Sequence, residues 1–242
     1  MALPARGLWP SGLRYATAVL KPDHILLSAC GLACQRGGAW LFREVAVELR
    51  AGEALWLRGA NGSGKTSLLR LLAGLGRPQA GTVARTDGGR MVCIGHADAL
   101  KDDLSVTEAL NFLCRLQGDA VSLQALTGAL RRLGLGQKAD APVRTLSRGQ
   151  RRRVALARMA LDLARSGQES ANAPLWLLDE PFDALDAQGV QTVNSLLSDH
   201  LARGGALVLT SHIAPAFAGA LDVPGFKTLE LGAVEVPQGL AA

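Results

Sequence analysis

Gly59-Ala60-Asn61-Gly62-Ser63-Gly64-Lys65-Thr66 is the stretch on which the reading of this chain turns. It fits the pattern GxxxxGK[ST], and its surroundings suit that pattern. The apolar run Ala54 to Leu57 ahead of it reads as a buried strand. Thr66 to Ala73 behind it places Leu68, Leu69, Leu71 and Leu72 on a helix that Gly74 can end. Glycines let backbone N–H groups turn inward on phosphate, and the helix N-terminus adds a favourable dipole. Lys65 reaches the β- and γ-phosphates and Thr66 ligates Mg²⁺. A turn rich in glycine for structural reasons alone requires neither a lysine nor a hydroxyl at those two places. Gly59, Ala60, Asn61, Gly62, Ser63, Gly64, Lys65, Thr66 and the adjoining Ser67 are therefore the predicted nucleotide-binding residues, with ATP or GTP as the ligand.

Working outward, Ala39 to Leu49 and Met91 to Ile94 read as further strands. From Ser105 to about Leu133 the pattern is helical. Ser105 and Glu108 are spaced as a capping box, and Leu123, Leu126, Leu130 and Leu133 fall on one face. A polar loop at 166–173 precedes a strand over Leu175 to Leu178, and a helix near 187–202 leads to a strand over Ala206 to Thr210. Strands alternating with helices predict an α/β fold of the P-loop nucleotide-hydrolase type, its core sheet mostly parallel with helices on both faces. No internal repeat is visible, so a single unit is expected from residue 25 to 242. Residues 1–24, with Pro4, Pro10 and Pro22 and no clear periodicity, read as a loose extension produced by an early start codon rather than as a secretory signal.

The run Leu175-Trp176-Leu177-Leu178-Asp179-Glu180 ends a buried strand in two adjacent acids, at the edge where ligands bind in open α/β sheets. Neighbouring side chains on a strand point to opposite faces, so the two acids are expected to do different work. Asp179 is the candidate Mg²⁺ ligand alongside Thr66. Glu180 is the candidate catalytic residue, orienting and polarising the water that attacks the γ-phosphate.

These two motifs occur together in kinases, GTPases and motor ATPases; a third chooses among them. Leu146-Ser147-Arg148-Gly149-Gln150 resembles the LSGGQ signature of the ATP-binding cassette (ABC) family, with Arg148 in place of the first glycine. Ser147 and Gly149 keep the hydroxyl, the backbone N–H groups and the helix N-terminus that such a site asks for. Ala184-Leu185-Asp186 looks like the family's D-loop, and His212 stands in the place of its switch histidine, a second candidate catalytic residue. The resemblance implies an ABC-type nucleotide-binding domain with an antiparallel β subdomain and a helical subdomain at about 97–160. It also implies ATP and Mg²⁺ as ligands, and a head-to-tail dimer in which the signature of one copy faces the nucleotide of the other. By register, His96 occupies the position where the family carries a glutamine, and Arg36, with Trp40 nearby, the position of its aromatic adenine platform. A guanidinium plane can stack on a base. Arg58 to Leu75, Ile94-Gly95-His96 and Pro174 to Asp186 further resemble the ATP-binding subunits of the haem exporters of bacterial cytochrome c maturation. That implies integral membrane permease partners at the cytoplasmic face of the inner membrane, with no direct haem contact by this chain.

Composition narrows the rivals. The net charge of +5 is unevenly placed, since Arg6, Arg14 and Lys21 all precede the first acid, Asp23, and the rest of the chain lies closer to neutral. Arg151, Arg152 and Arg153 are the one dense basic run elsewhere and read as a solvated helix face. Cys30, Cys34, Cys93 and Cys114 lack paired metal-site spacing. No apolar run reaches the roughly 18 residues of a membrane span, so any membrane role is expected to be peripheral. Cassettes acting on nucleic acid or ribosomes carry a long coiled-coil insertion or two cassettes in one chain; neither is present, and no direct nucleic-acid partner is expected. A cassette serving another cargo, a non-transport cassette and a P-loop kinase stay as alternatives.

Overall fold

A computed structural model describes residues 24–86, 89–165, 174–216 and 225–232; the predicted N-terminal extension, apart from His24, and the 166–173 loop lie outside them. Five parallel strands form the core sheet in the order β5-β6-β7-β3-β8: β3 (Ala54–Arg58), β5 (Met91–Ile94), β6 (Leu175–Asp179), β7 (Ala206–Thr210) and β8 (Phe226–Glu230). Every residue of β6 and β7 is buried, as expected for strands covered on both faces. The alternation within them sorts the covers. Trp176, Leu178, Leu207 and Leu209 pack with α4 (Arg148–Arg165) and α5 (Ala187–Ala202), whereas Leu175, Leu177, Ala206 and Val208 pack with α1 (Lys65–Leu72). A second, antiparallel sheet, β2-β1-β4, closes over that α1 face: β1 (Ile25–Arg36), β2 (Ala39–Arg50) and β4 (Ala80–Arg85). Leu27, Leu32, Phe42 and Leu49 carry the contact.

Parallel strands bring their carboxyl ends to one edge. Asp179 stands opposite Thr210, and Thr210 opposite Leu57, so the loops after β3, β6 and β7 start at the same level. The fold needs this alignment for anything that follows.

Between β5 and β6 the chain is helical, and the helical pattern read from Ser105 to about Leu133 is divided into two helices, α2 (Val106–Leu116) and α3 (Leu123–Arg132). Gly118 at φ 81° breaks the run. Both elements of the predicted capping box form, with Glu108 N–H on Ser105 Oγ at 3.3 Å and Ser105 N–H on Glu108 Oε2 at 2.8 Å. Ser122 caps α3 with the single bond from the Ala125 N–H to its Oγ at 3.2 Å. Leu126, Leu130 and Leu133 are buried as expected; Leu123 is 68% exposed, because it opens α3 ahead of the buried stripe.

One polar group is built into the core beneath β6. The Trp176 indole N–H donates to Asp162 Oδ2 at 2.9 Å, and Arg90 pairs with the other oxygen of Asp162. The indole stacks on the His200 ring at 3.8 Å between centroids, and His200 Nε2 bonds the Ala206 carbonyl at 3.0 Å. Burial pushes the His200 pKa down to about 3 from its usual 6.5, so the ring is neutral in the fold. Between those two values only the unfolded chain takes up the proton. Stability supplied by His200 is therefore complete above pH 6.5 and is lost as pH falls from there toward 3. Thermal or urea unfolding between pH 7.5 and 5.5 should show wild type losing up to about 1.4 kcal/mol per pH unit below the midpoint. His200→Phe should show a flatter profile, and equal slopes would contradict the account.

Candidate active site

The loop after β3 is shaped by glycine where the sequence has it. Gly64, at φ 97°, precedes α1, and a Cβ there would sit 3.0 Å from both Leu41 Cβ and Phe42 Cδ1. Lys65 Nζ donates to the carbonyls of Gly59 and Ala60 at 2.8 and 3.0 Å, which holds the ammonium over the loop. Thr66 Oγ1 donates to Asp179 Oδ2 at 2.9 Å. Asp179 is only 4% exposed, and its second oxygen accepts the Thr210 hydroxyl at 2.7 Å. Thr210 Oγ1 in turn accepts the Glu180 N–H at 2.9 Å. One chain of hydrogen bonds thus joins the start of α1 to the ends of β6 and β7. A hydroxyl and a carboxylate in contact are a hard oxygen pair, the donor set that suits Mg²⁺.

Glu180 leaves β6 at φ 49°, in the left-handed region. For a residue with a Cβ that costs about 1–3 kcal/mol and persists only where the surroundings enforce it. The turn brings its carboxylate to His212, whose N–H donates to Oε2 at 3.3 Å and whose Nε2 lies 3.6 Å from Oε1. Lys65, Thr66, Asp179, Glu180 and His212 line one cavity of about 750 Å³, within the range of small-ligand sites. Asn61, Gly62, Gly64 and Ser67 line it too, as do the two departures, Arg36 and His96. Trp40 is not among the lining residues; the Arg43 guanidinium covers its ring at 4.1 Å.

The signature stretch opens α4. Ser147 Oγ accepts the Gln150 N–H at 3.2 Å and Gln150 Oε1 accepts the Ser147 N–H at 3.0 Å, a reciprocal cap. Leu146 is buried and anchors the turn. Gly149 runs against the 184–186 segment, where an added Cβ would lie 2.6 Å from the Ala184 carbonyl oxygen. Arg148 bonds Asp183 Oδ2 at 2.5 Å and also lines the cavity. Asp186 caps α5 through the Gly189 N–H at 2.8 Å and accepts Arg153 at 2.5 Å. Those two donors hold its carboxyl below the usual carboxylate range.

The expectation that Arg151, Arg152 and Arg153 form a solvated face is corrected. Arg151 and Arg153 reach the carboxylates of Asp102 and Asp186, and Arg152 is 3% exposed. Successive helix residues are about 100° apart, so three in a row cannot share one face. Thr210 was also missed, although a hydroxyl ending the otherwise apolar strand Ala206-Leu207-Val208-Leu209 was visible. Among the described residues no cluster of His, Cys, Asp and Glu forms a further metal site, and all four cysteines are free.

A family model described as ABC transporter matches residues 42–183. The chain belongs to the ABC transporter family. Relatives named cytochrome c biogenesis ATP-binding export protein CcmA are similar to this cassette over most of both lengths. The protein from Aromatoleum aromaticum is 44% identical, with 80% of this chain and 91% of the relative covered. The Pseudomonas putida protein is 46% identical (77% and 89% covered) and that of Hyphomonas neptunium 44% (82% and 95%). Among solved structures, an ATP-binding subunit of an ABC transporter aligns with a TM-score of 0.64 at 22% identity, covering 78% of this chain and 80% of the other. An ABC-transporter ATP-binding protein from Pyrococcus furiosus aligns at 0.66 and 19%, covering 85% and 96%. At those identities the structures speak to the fold, which is that of the cassette ATPases.

Replacing Thr210 by valine keeps the volume and removes the hydroxyl, leaving Asp179 Oδ1 and the Glu180 N–H unpaired. Hydrogen bonds to charged groups are worth about 1.5–3 kcal/mol. ATP turnover, followed by phosphate release, should therefore fall about ten- to a hundred-fold in Thr210→Val; turnover equal to wild type would contradict the hub.

Proposed function

We propose that this chain is the ATP-hydrolysing subunit of a membrane exporter for cytochrome c biogenesis, with haem or a haem-loaded carrier as cargo. The observation that carries the catalytic half is the bonded series Thr66–Asp179–Thr210–Glu180, which ends beside His212. The transport half is supported by relatives with that biogenesis name at 44–46% identity.

In this reading the N–H groups of the 59–64 loop and Lys65 bind the ATP phosphates, and Arg36 stacks on the base. Thr66 and Asp179 would hold Mg²⁺, which when bound neutralises charge on the β- and γ-phosphates. Glu180 orients the attacking water and takes its proton, and His212 contacts the γ-phosphate. His96 faces the same cavity as a nucleotide-sensing side chain. A second copy completes the site head-to-tail. Its Leu146, Ser147, Arg148, Gly149 and Gln150 meet the γ-phosphate from across the interface, and Ala184, Leu185 and Asp186 run along the seam. ATP closes this pair and hydrolysis reopens it, and the segment after His96 passes the motion to integral permease subunits at the cytoplasmic face of the bacterial inner membrane. Among the described residues no helix is long and apolar enough to cross a membrane, which leaves cargo contact and the span itself to those partners.

Glu180→Gln should bind ATP within a few-fold of wild type, lose turnover by about 10²-fold or more, and accumulate as an ATP-dependent dimer in size-exclusion chromatography. Turnover persisting at the wild-type rate would remove Glu180 from its role, and a species that stays monomeric with ATP would remove the paired-site arrangement.

A further inference from the structure

Arg152 has no place in the chemistry described so far, yet it is among the most buried charges in the molecule, at 3% exposure. Its neighbours Arg151 and Arg153 end on the carboxylates of Asp102 and Asp186. Arg152 instead turns under α4. Nη1 donates to the Gly95 carbonyl at 2.8 Å and to Asp98 Oδ1 at 3.1 Å; Nη2 donates to the carbonyls of Asp179 at 2.6 Å and Glu180 at 2.9 Å. One guanidinium therefore ties together the signature helix, the 95–98 segment after β5 and the carboxyl end of β6.

Burying a cation beside one carboxylate and three carbonyls is a poor way to gain stability, since a well-packed apolar side chain commonly does as well or better. What it supplies is geometry, because a planar fork can reach two backbone segments at once where lysine offers a single point. The geometry falls on the strained residue. Glu180 sits at φ 49° with its N–H held by Thr210 from β7 and its carbonyl held by Arg152 from α4. Those two bonds fix the twist that turns its carboxylate to His212. Arg152 also lies five residues after Ser147, about 7.5 Å along the axis of the helix that Ser147 precedes. Any displacement of the signature therefore moves the clamp on Glu180.

We propose that Arg152 is a positioning residue that makes the hydrolytic competence of Glu180 depend on how α4 docks against the 95–98 segment. The inference rests on the assignment of Glu180 to hydrolysis made above. A rotation of α4 that pulls the guanidinium away releases the Glu180 carbonyl and the 95–98 loop together, so nucleotide can be bound while hydrolysis stays off.

The test uses the full-length chain carrying Arg152→Gln, Arg152→Lys or Asp98→Asn, with kcat and KM for Mg²⁺-ATP and equilibrium ATP binding measured separately. Arg152→Gln is expected to lower kcat at least tenfold while ATP affinity changes less than threefold. Arg152→Lys should recover part of that loss. Asp98→Asn, which disturbs only the loop end of the clamp, should lower kcat several-fold at unchanged affinity. A folded Arg152→Gln with kcat within twofold of wild type would overturn the proposal, as would kcat and affinity falling in parallel or a lysine variant no better than glutamine. Should Arg152→Gln fail to fold, Asp98→Asn decides, and wild-type kcat there would overturn it. A wild-type chain without ATPase activity, or a Glu180→Gln chain as active as wild type, would instead remove the underlying assignment of Glu180.

Discussion

Asp179 is a carboxylate at 4% exposure that accepts two hydroxyl hydrogens, one from Thr66 on α1 and one from Thr210 on β7. An unpaired charge at that depth would not persist, and these two bonds are what keep it. They also decide the geometry around it. The first ties the start of α1, and so the loop after β3, to β6; the second ties β6 to β7, and the Glu180 N–H on the same Thr210 hydroxyl carries the constraint to the candidate catalytic residue. Remove the carboxylate and the loop after β3 and the turn after β6 lose their shared reference point, although the strands that present them stay paired.

Much of this was legible because each part has its own local signal. The turn from β3 into α1 needs glycine at Gly64, and the lysine and hydroxyl that follow are residue types that a phosphate site asks for and a glycine turn alone does not. The half-buried edge strand Met91–Ile94 and the fully buried strand Ala206–Thr210 were both visible as short apolar runs. The antiparallel sheet was the weak point. β1 carries shifts in its pairing register and a glycine at φ 62°, and β4 is largely exposed, so neither shows clean alternation. β8 is half-exposed and short. Arg152 and Thr210 were hidden for another reason: their importance comes from partners 27 to 57 residues distant in sequence, which no local pattern reports.

Where the cassette departs from the common pattern, all three side chains line the cavity. Arg148, where the ABC signature has its first glycine, bonds Asp183 just ahead of the 184–186 segment, so the turn that opens α4 and that segment are tied together within one chain. Arg36 lines the cavity, while the Trp40 ring is covered by the Arg43 guanidinium. His96 lines the cavity as an exposed imidazole, flanked by Gly95 and Asp98, both of which accept hydrogen bonds from Arg152.

The most direct measurement is ATP affinity of Asp179→Asn against wild type, each with and without millimolar Mg²⁺. If this carboxylate is the hub of a metal-dependent ATP site, the variant keeps the metal-free affinity of wild type, loses the gain that Mg²⁺ brings, and shows almost no turnover. An Asp179→Asn chain whose affinity rises with Mg²⁺ as far as wild type, with turnover intact, would contradict it.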